Sequence, residues 1–177
     1  TMIYAKENQM PLTHNRYEQR FEYMFVLSKG RPKTFNPLLK ENKYAGKKQG
    51  GTFRHTGNDL EKKHKLAPIK KKGYRYNIWF YAIGKGGTTR DDFAFKHPAM
   101  FPEKLAEDHI ISWSNTGDIV LDPFMGSGTT AKMALLNNRN FIGFEISSEY
   151  VEIANQRLEN VRDELAKCKL TEGTNVK

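Results

Sequence analysis

The stretch IVLDPFMGSGTTAKMALL, residues 119–136, constrains the fold more than any other part of the chain. An apolar run ends in Asp122-Pro123, two glycines follow at 126 and 128, and a helix-compatible segment comes next. This order predicts a buried strand, a tight turn and a helix over 129–137. Residues 141–145, FIGFE, read as the following strand, ending in Glu145. Val151, Ala154, Leu158, Val161 and Leu165 recur at three and four, which predicts a helix over 148–167 with one apolar face. Strand, helix, strand, helix implies a parallel α/β layer.

Gly126, Gly128 and Ala131 fit G-x-G-x-x-A at a strand-to-helix turn, and Glu145 closes the next strand 19 residues later. The first glycine permits the turn. The second leaves room for backbone to approach a ligand, and Ala131 lets the helix approach the sheet. A carboxylate in the position of Glu145 suits the two hydroxyls of a ribose. An ordinary tight turn with packing glycines is the plain alternative. The lysine of a phosphate-binding G-x-x-x-x-G-K-[ST] loop is absent. Asp122 adds negative charge at the strand end, which disfavours a pyrophosphate and favours a ligand bearing cationic groups. S-adenosylmethionine, with its sulfonium, ammonium and adenosine, fits this reasoning. A dinucleotide remains open at this point.

Upstream, FEYMFVLS at 21–28 and YNIWFYAI at 76–83 read as strands. Poor alternation in the first suggests cover on both faces. Residues 29–75 hold 15 Lys or Arg against 3 acidic residues, a net of +12, whereas the rest of the chain sums to −3. The same region lacks a steady period and predicts a long irregular insertion carrying a short hairpin. A basic segment beside a near-neutral body suits a polyanion. Its candidate phosphate contacts are Lys47, Lys48, Arg54, Lys62, Lys63, Lys70, Lys71, Lys72 and Arg75. A solvated loop would carry the same charges. The single Cys168 excludes an internal disulfide or a cysteine-rich zinc site. No apolar run spans a membrane and the first ten residues lack a signal core, so the expected location is the cytoplasm.

With HPAMFP at 97–102 before it and FIGFE after it, DPFMGSGTT resembles the cofactor half of the beta group of amino-group DNA methyltransferases. RYEQRFEYMFVLSKG, at 16–30, resembles the strand region that follows the catalytic loop in that group. The resemblance implies an α/β, Rossmann-like S-adenosylmethionine-dependent methyltransferase fold, incomplete at its N-terminus. Residues 1–30 and 76–177 would belong to the cofactor-binding domain, and 31–75 to a basic target-recognition insertion. Asp122, Phe124, Gly126 and Gly128 would line the cofactor, with Thr129 and Thr130 nearby. Glu145 would hold the ribose, and His97, Phe101 and Pro102 would wall the methionine end. A loop-capping role for His97 and core roles for Phe101 and Phe124 are equally compatible with the residues themselves.

The resemblance further implies methylation of adenine N6 or cytosine N4, with adenine N6 preferred, in bacteria, their phages and mobile elements. Such chemistry needs an acidic or amide residue followed by two prolines and an aromatic, which grip the amino group and stack on the flipped base. The seven prolines stand at 11, 32, 37, 68, 98, 102 and 123, and no two are adjacent. No catalytic residue is therefore identified, and the 177-residue chain is expected to be inactive alone. Its expected partners are double-stranded DNA, an N-terminal half of the same enzyme and a possible second copy. The competing expectations are a non-catalytic DNA-binding relic and a dinucleotide-dependent oxidoreductase fragment.

Overall fold

The computed structural model describes residues 1–8, 17–48 and 68–173. They divide into a larger unit, residues 1–36 and 77–177, and a smaller one, residues 37–76.

The larger unit contains two sheets. In the first, β1 (Met2–Lys6) lies between β2 (Phe21–Met24), antiparallel to it, and β5 (Ile78–Tyr81), parallel to it. Tyr4 is opposite Trp79, and both are buried with Tyr81. Phe21, Tyr23, Ile78 and Phe80 are exposed. This corrects the expectation of cover on both faces around 21–28. Side chains alternate across a strand, and β5 alternates exposed and buried accordingly.

In the second sheet, β6 (Ile119–Asp122) is parallel to β7 (Asn140–Gly143), with Ile119 opposite Asn140. Between them runs α2 (Thr129–Leu136), and α3 (Ser148–Gly173) follows. The parallel α/β arrangement expected for 119–167 is present. The strands at 21–24 and 78–81, however, pair within their own sheet and not with β6 or β7. The last helix also continues beyond its expected end at 167.

Helix α1 (Glu103–Trp113) serves both sheets. Its buried Asp108 accepts a 2.6 Å hydrogen bond from the Tyr81 hydroxyl, and His109 packs on Trp79 with ring centres 4.8 Å apart. On its other side Ala106 and Ile110 form a core with Met133 and Ala134, against which Val120 and Phe141 pack. Burial lowers the pKa of His109, outweighing the nearby charge of Asp108. Pro102 precedes the helix as its N-cap.

In the smaller unit, β3 (Leu39–Glu41) pairs antiparallel with β4 (Lys72–Tyr74). The two strands are neighbours in space but far apart in sequence; residues 49–67 between them lie outside the described residues, and with them most of the segment in which a short hairpin is expected. The Asn42 side-chain amide donates to the Lys70 carbonyl at 2.9 Å, and Lys40 lies 3.5 Å from the Tyr76 ring centre.

Candidate functional site

The site is built where β6 and β7 end. After Asp122 the chain turns at once, and the Asp122 carboxylate accepts a 3.0 Å bond from the Phe124 N–H. Part of its acceptor capacity is thus spent on its own turn. Pro123 and Phe124 are exposed, and Phe124 forms, with Phe144, Glu145 and Ile146, the wall of a hollow of about 450 Å³. The hollow is apolar except for one carboxylate.

Glu145 ties three pieces together. It accepts from the Gly126 N–H at 2.8 Å and from the Ser147 N–H at 2.9 Å, immediately before α3. The Ser147 bond, opposed by partial burial and supported by the Gly126 and Ile146 amides, holds its carboxyl below the usual carboxylate range. A carboxylate has about four acceptor sites, so capacity remains for a ligand hydroxyl.

The backbone requires a glycine at both positions, and at Gly128 packing within the protein requires it as well. Gly126 has φ +52°, and a Cβ there would lie 2.8 Å from His97 Nε2. Gly128 has φ +79°, and a Cβ there would lie 2.9 Å from the Ala154 Cβ on α3. Both backbones occupy a region that side chains rarely adopt. The reason for the second glycine is therefore the approach of α3, where the sequence suggested an approach to ligand.

The other expected site residues divide among three neighbourhoods. His97 joins the glycine turn and packs edge-on to Tyr150, with ring centres 4.3 Å apart. Phe101 and Thr130 border a cavity of about 510 Å³ whose walls include Met24, His109 and Trp113. Phe101 also borders, with His97, a hollow of about 400 Å³ reaching Tyr4 and Lys6. Pro102 is fully buried. Thr129 is buried too, and its hydroxyl accepts a 3.1 Å bond from Arg157. Lys47, Lys48, Lys70, Lys71, Lys72 and Arg75 lie in the smaller unit. Lys47 lies 5.4 Å from the Tyr44 ring centre, and Lys72 pairs with Glu41 at 3.7 Å. Arg54, Lys62 and Lys63 lie outside the described residues. Among the described residues no group of His, Cys, Asp or Glu is placed to hold a metal ion, and no helix is long and apolar enough to cross a membrane.

Sequence reasoning overlooked Arg157. Its guanidinium is wholly buried and reaches Asp91, Glu103, Ser127 and Thr129. The one available signal was its position on a predicted helix, three residues after Ala154, four before Val161 and adjacent to Leu158, which puts a charged residue on the apolar stripe.

The model of the DNA methylase family N6_N4_Mtase matches residues 1–156. The orphan methyltransferase M.BamHII of Bacillus amyloliquefaciens is 58% identical over 163 residues, covering 90% of this chain and 62% of that relative. The DNA adenine methyltransferase YhdJ of Escherichia coli K12 is 48% identical over 77 residues, 41% of this chain and 26% of that relative. Among solved structures, the M1.HpyAVI–SAM complex superposes with a TM-score of 0.55 at 26% identity, covering 89% of this chain and 59% of that one. The chain thus spans about six-tenths of the length of M.BamHII and of M1.HpyAVI.

Proposed function

Because the chain belongs to the N6 and N4 DNA methylase family, we propose that it carries the cofactor site and the target-recognition region of an enzyme that methylates an exocyclic amino group of DNA, adenine N6. Family membership removes the dinucleotide oxidoreductase reading. The observation that carries the proposal is the Glu145 carboxylate, held at the end of β7 by the glycine turn and facing a hollow with apolar walls. Adenine is favoured because a relative named as an adenine methyltransferase shares 48% of 77 aligned residues.

The cofactor is S-adenosylmethionine, which when bound supplies an electrophilic methyl group on a sulfonium. The donor set suits it. Glu145 would accept from the ribose, Phe124, Phe144 and Ile146 would flank the adenine, and Asp122 would favour the cationic end. His97, with no Cβ on Gly126 to displace it, lines the hollow of about 400 Å³ with Phe101 and would wall the methionine end from there. The smaller unit, with Lys47, Lys48 and Lys70–Lys72, would hold duplex DNA through its phosphates. An enzyme of this kind would work in the cytoplasm, where bacterial DNA lies.

Base activation would come from a segment bearing the proline pair, which this sequence lacks. The 177-residue chain is expected to bind S-adenosylmethionine in calorimetry and to transfer no labelled methyl to unmethylated DNA. Adding an upstream fragment that carries the proline-pair loop should produce transfer. Transfer by the chain alone would place the base-activating residues within it. A folded chain that binds DNA and no cofactor would favour the relic reading.

Binding to DNA should fall steeply with salt. Each phosphate contact on duplex DNA contributes roughly 0.9 to the slope of log K against log salt, so replacing Lys70–Lys72 with glutamine should flatten that slope by roughly 2–3. Lys72 already shares its charge with Glu41, so the smaller value is the better guide. A slope unmoved by the triple change would remove these lysines from the DNA surface.

A further inference from the structure

We propose that Arg157 is a positioning residue that holds the main chain of the glycine turn in its cofactor-binding shape. The proposal rests on the cofactor reading only for what the turn is used for.

The geometry is specific. Arg157 lies on α3 with no solvent exposure. Its Nη1 donates to the Ser127 carbonyl at 2.8 Å, between the two glycines, and to the Thr129 hydroxyl at 3.1 Å. Its Nε donates to Asp91 at 2.8 Å, and its Nη2 donates to Glu103. Lys132, on α2, joins the same two carboxylates at 2.7 and 2.8 Å. Two cations thus face two anions in a closed cluster. Burial pushes the Asp91 carboxyl up, but its bonds to Lys132 and Arg157 outweigh this and keep it below its ordinary value.

The placement of these partners matters more than their charge. Asp91 precedes the 3-10 turn Asp92–Lys96, and Glu103 opens α1. They bracket the segment that carries His97, whose ring meets Gly126. One guanidinium therefore fixes both ends of that segment and the centre of the turn. The Ser127 carbonyl shares a peptide plane with the Gly128 N–H, so holding it aims that N–H at the Met125 carbonyl, 2.9 Å away. The Met125–Gly126 peptide gripped in this way is the one whose N–H meets Glu145. A buried ion cluster by itself is weak evidence for added stability. A bond from such a cluster to a main-chain carbonyl in a turn of left-handed glycines selects one peptide orientation among several.

Arg157→Lys keeps the charge and loses the planar fork, so one ammonium cannot reach the carbonyl and both carboxylates in the same geometry. Amide spectra should show the Gly126 and Gly128 signals moved, and S-adenosylmethionine affinity should fall about tenfold or more, the scale of one lost hydrogen bond to a charged group such as Glu145. Val161→Ala, a core change on the same helix that leaves the turn untouched, supplies the control for lost stability. If Val161→Ala shifts the glycine signals and weakens binding as much as Arg157→Lys does at equal melting temperature, the positioning role is wrong. Should Arg157→Lys fail to fold, the wild-type chain decides: slowly exchanging Arg157 guanidinium protons that shift on adding S-adenosylmethionine support the proposal, and fast-exchanging, unresponsive ones overturn it. A wild-type chain that ignores S-adenosylmethionine sinks the cofactor reading, while the glycine signals of folded Arg157→Lys still decide the positioning.

Discussion

Gly128→Val should lose about 2–5 kcal/mol of stability, the sum of a left-handed backbone imposed on a side-chain-bearing residue and an overpacked contact. The backbone there has φ +79°, and the new Cβ would lie 2.9 Å from the Ala154 Cβ and 3.2 Å from its Cα. Neither atom can rotate away, because Ala154 is completely buried on α3. Either α3 moves or the turn opens. Both outcomes disturb Glu145, which binds the turn through Gly126 and the start of α3 through Ser147. Cofactor binding should therefore fall with stability, and thermal melting with parallel calorimetry measures both. The packing account has a sharper test. In a Gly128→Ala background, Ala154→Gly removes the atom that the new methyl meets, so it should cost less than it does in the wild-type chain. Equal costs in the two backgrounds would mean that the left-handed backbone alone explains the glycine.

Glu145→Ala should weaken S-adenosylmethionine binding by tenfold or more, since it removes a charged acceptor from the site. The informative comparison is Glu145→Gln. If Glu145 served only a ribose, the glutamine carbonyl could still accept a hydroxyl, and most affinity would remain. Here the two carboxylate oxygens each accept from a different backbone N–H, Gly126 and Ser147. A glutamine amide must turn its NH₂ toward one of them and set donor against donor. Glutamine should then be nearly as damaging as alanine, read by calorimetry at equal temperature and salt. Near-normal binding by the glutamine variant would show that the backbone contacts are incidental. The pH dependence has a definite sign. Because the folded carboxyl sits below its ordinary value of 4.5, its contribution is complete above that value. The contribution fades only as pH falls through the lower folded value.

The sequence by itself determined the elements around the glycine turn, because their signals are local. An apolar run between turn residues marks β6, glycines mark backbone that only they adopt readily, and a three-and-four spacing marks α3. The place of Glu145 was legible for the same reason, its distance from the turn being a property of one βαβ unit, although β7 ends at Gly143 and Glu145 lies two residues past the strand it was expected to close. The tertiary structure decided what depends on distant partners. Strand β1, Met2–Lys6, carries too short and mixed a pattern to announce itself, and it exists by pairing with β2 and β5. Nothing in FEYM or IWFY states that they join β1 and leave β6 and β7 as a separate pair. The reason for Gly128 is Ala154, 26 residues on, and the anchor of the turn is Arg157 with Asp91 and Glu103. A single arginine on a predicted helix is ordinarily a solvated charge. Only the convergence of three helices and the segment before α1 buries it, and burial is what obliges each of its donors to find a partner.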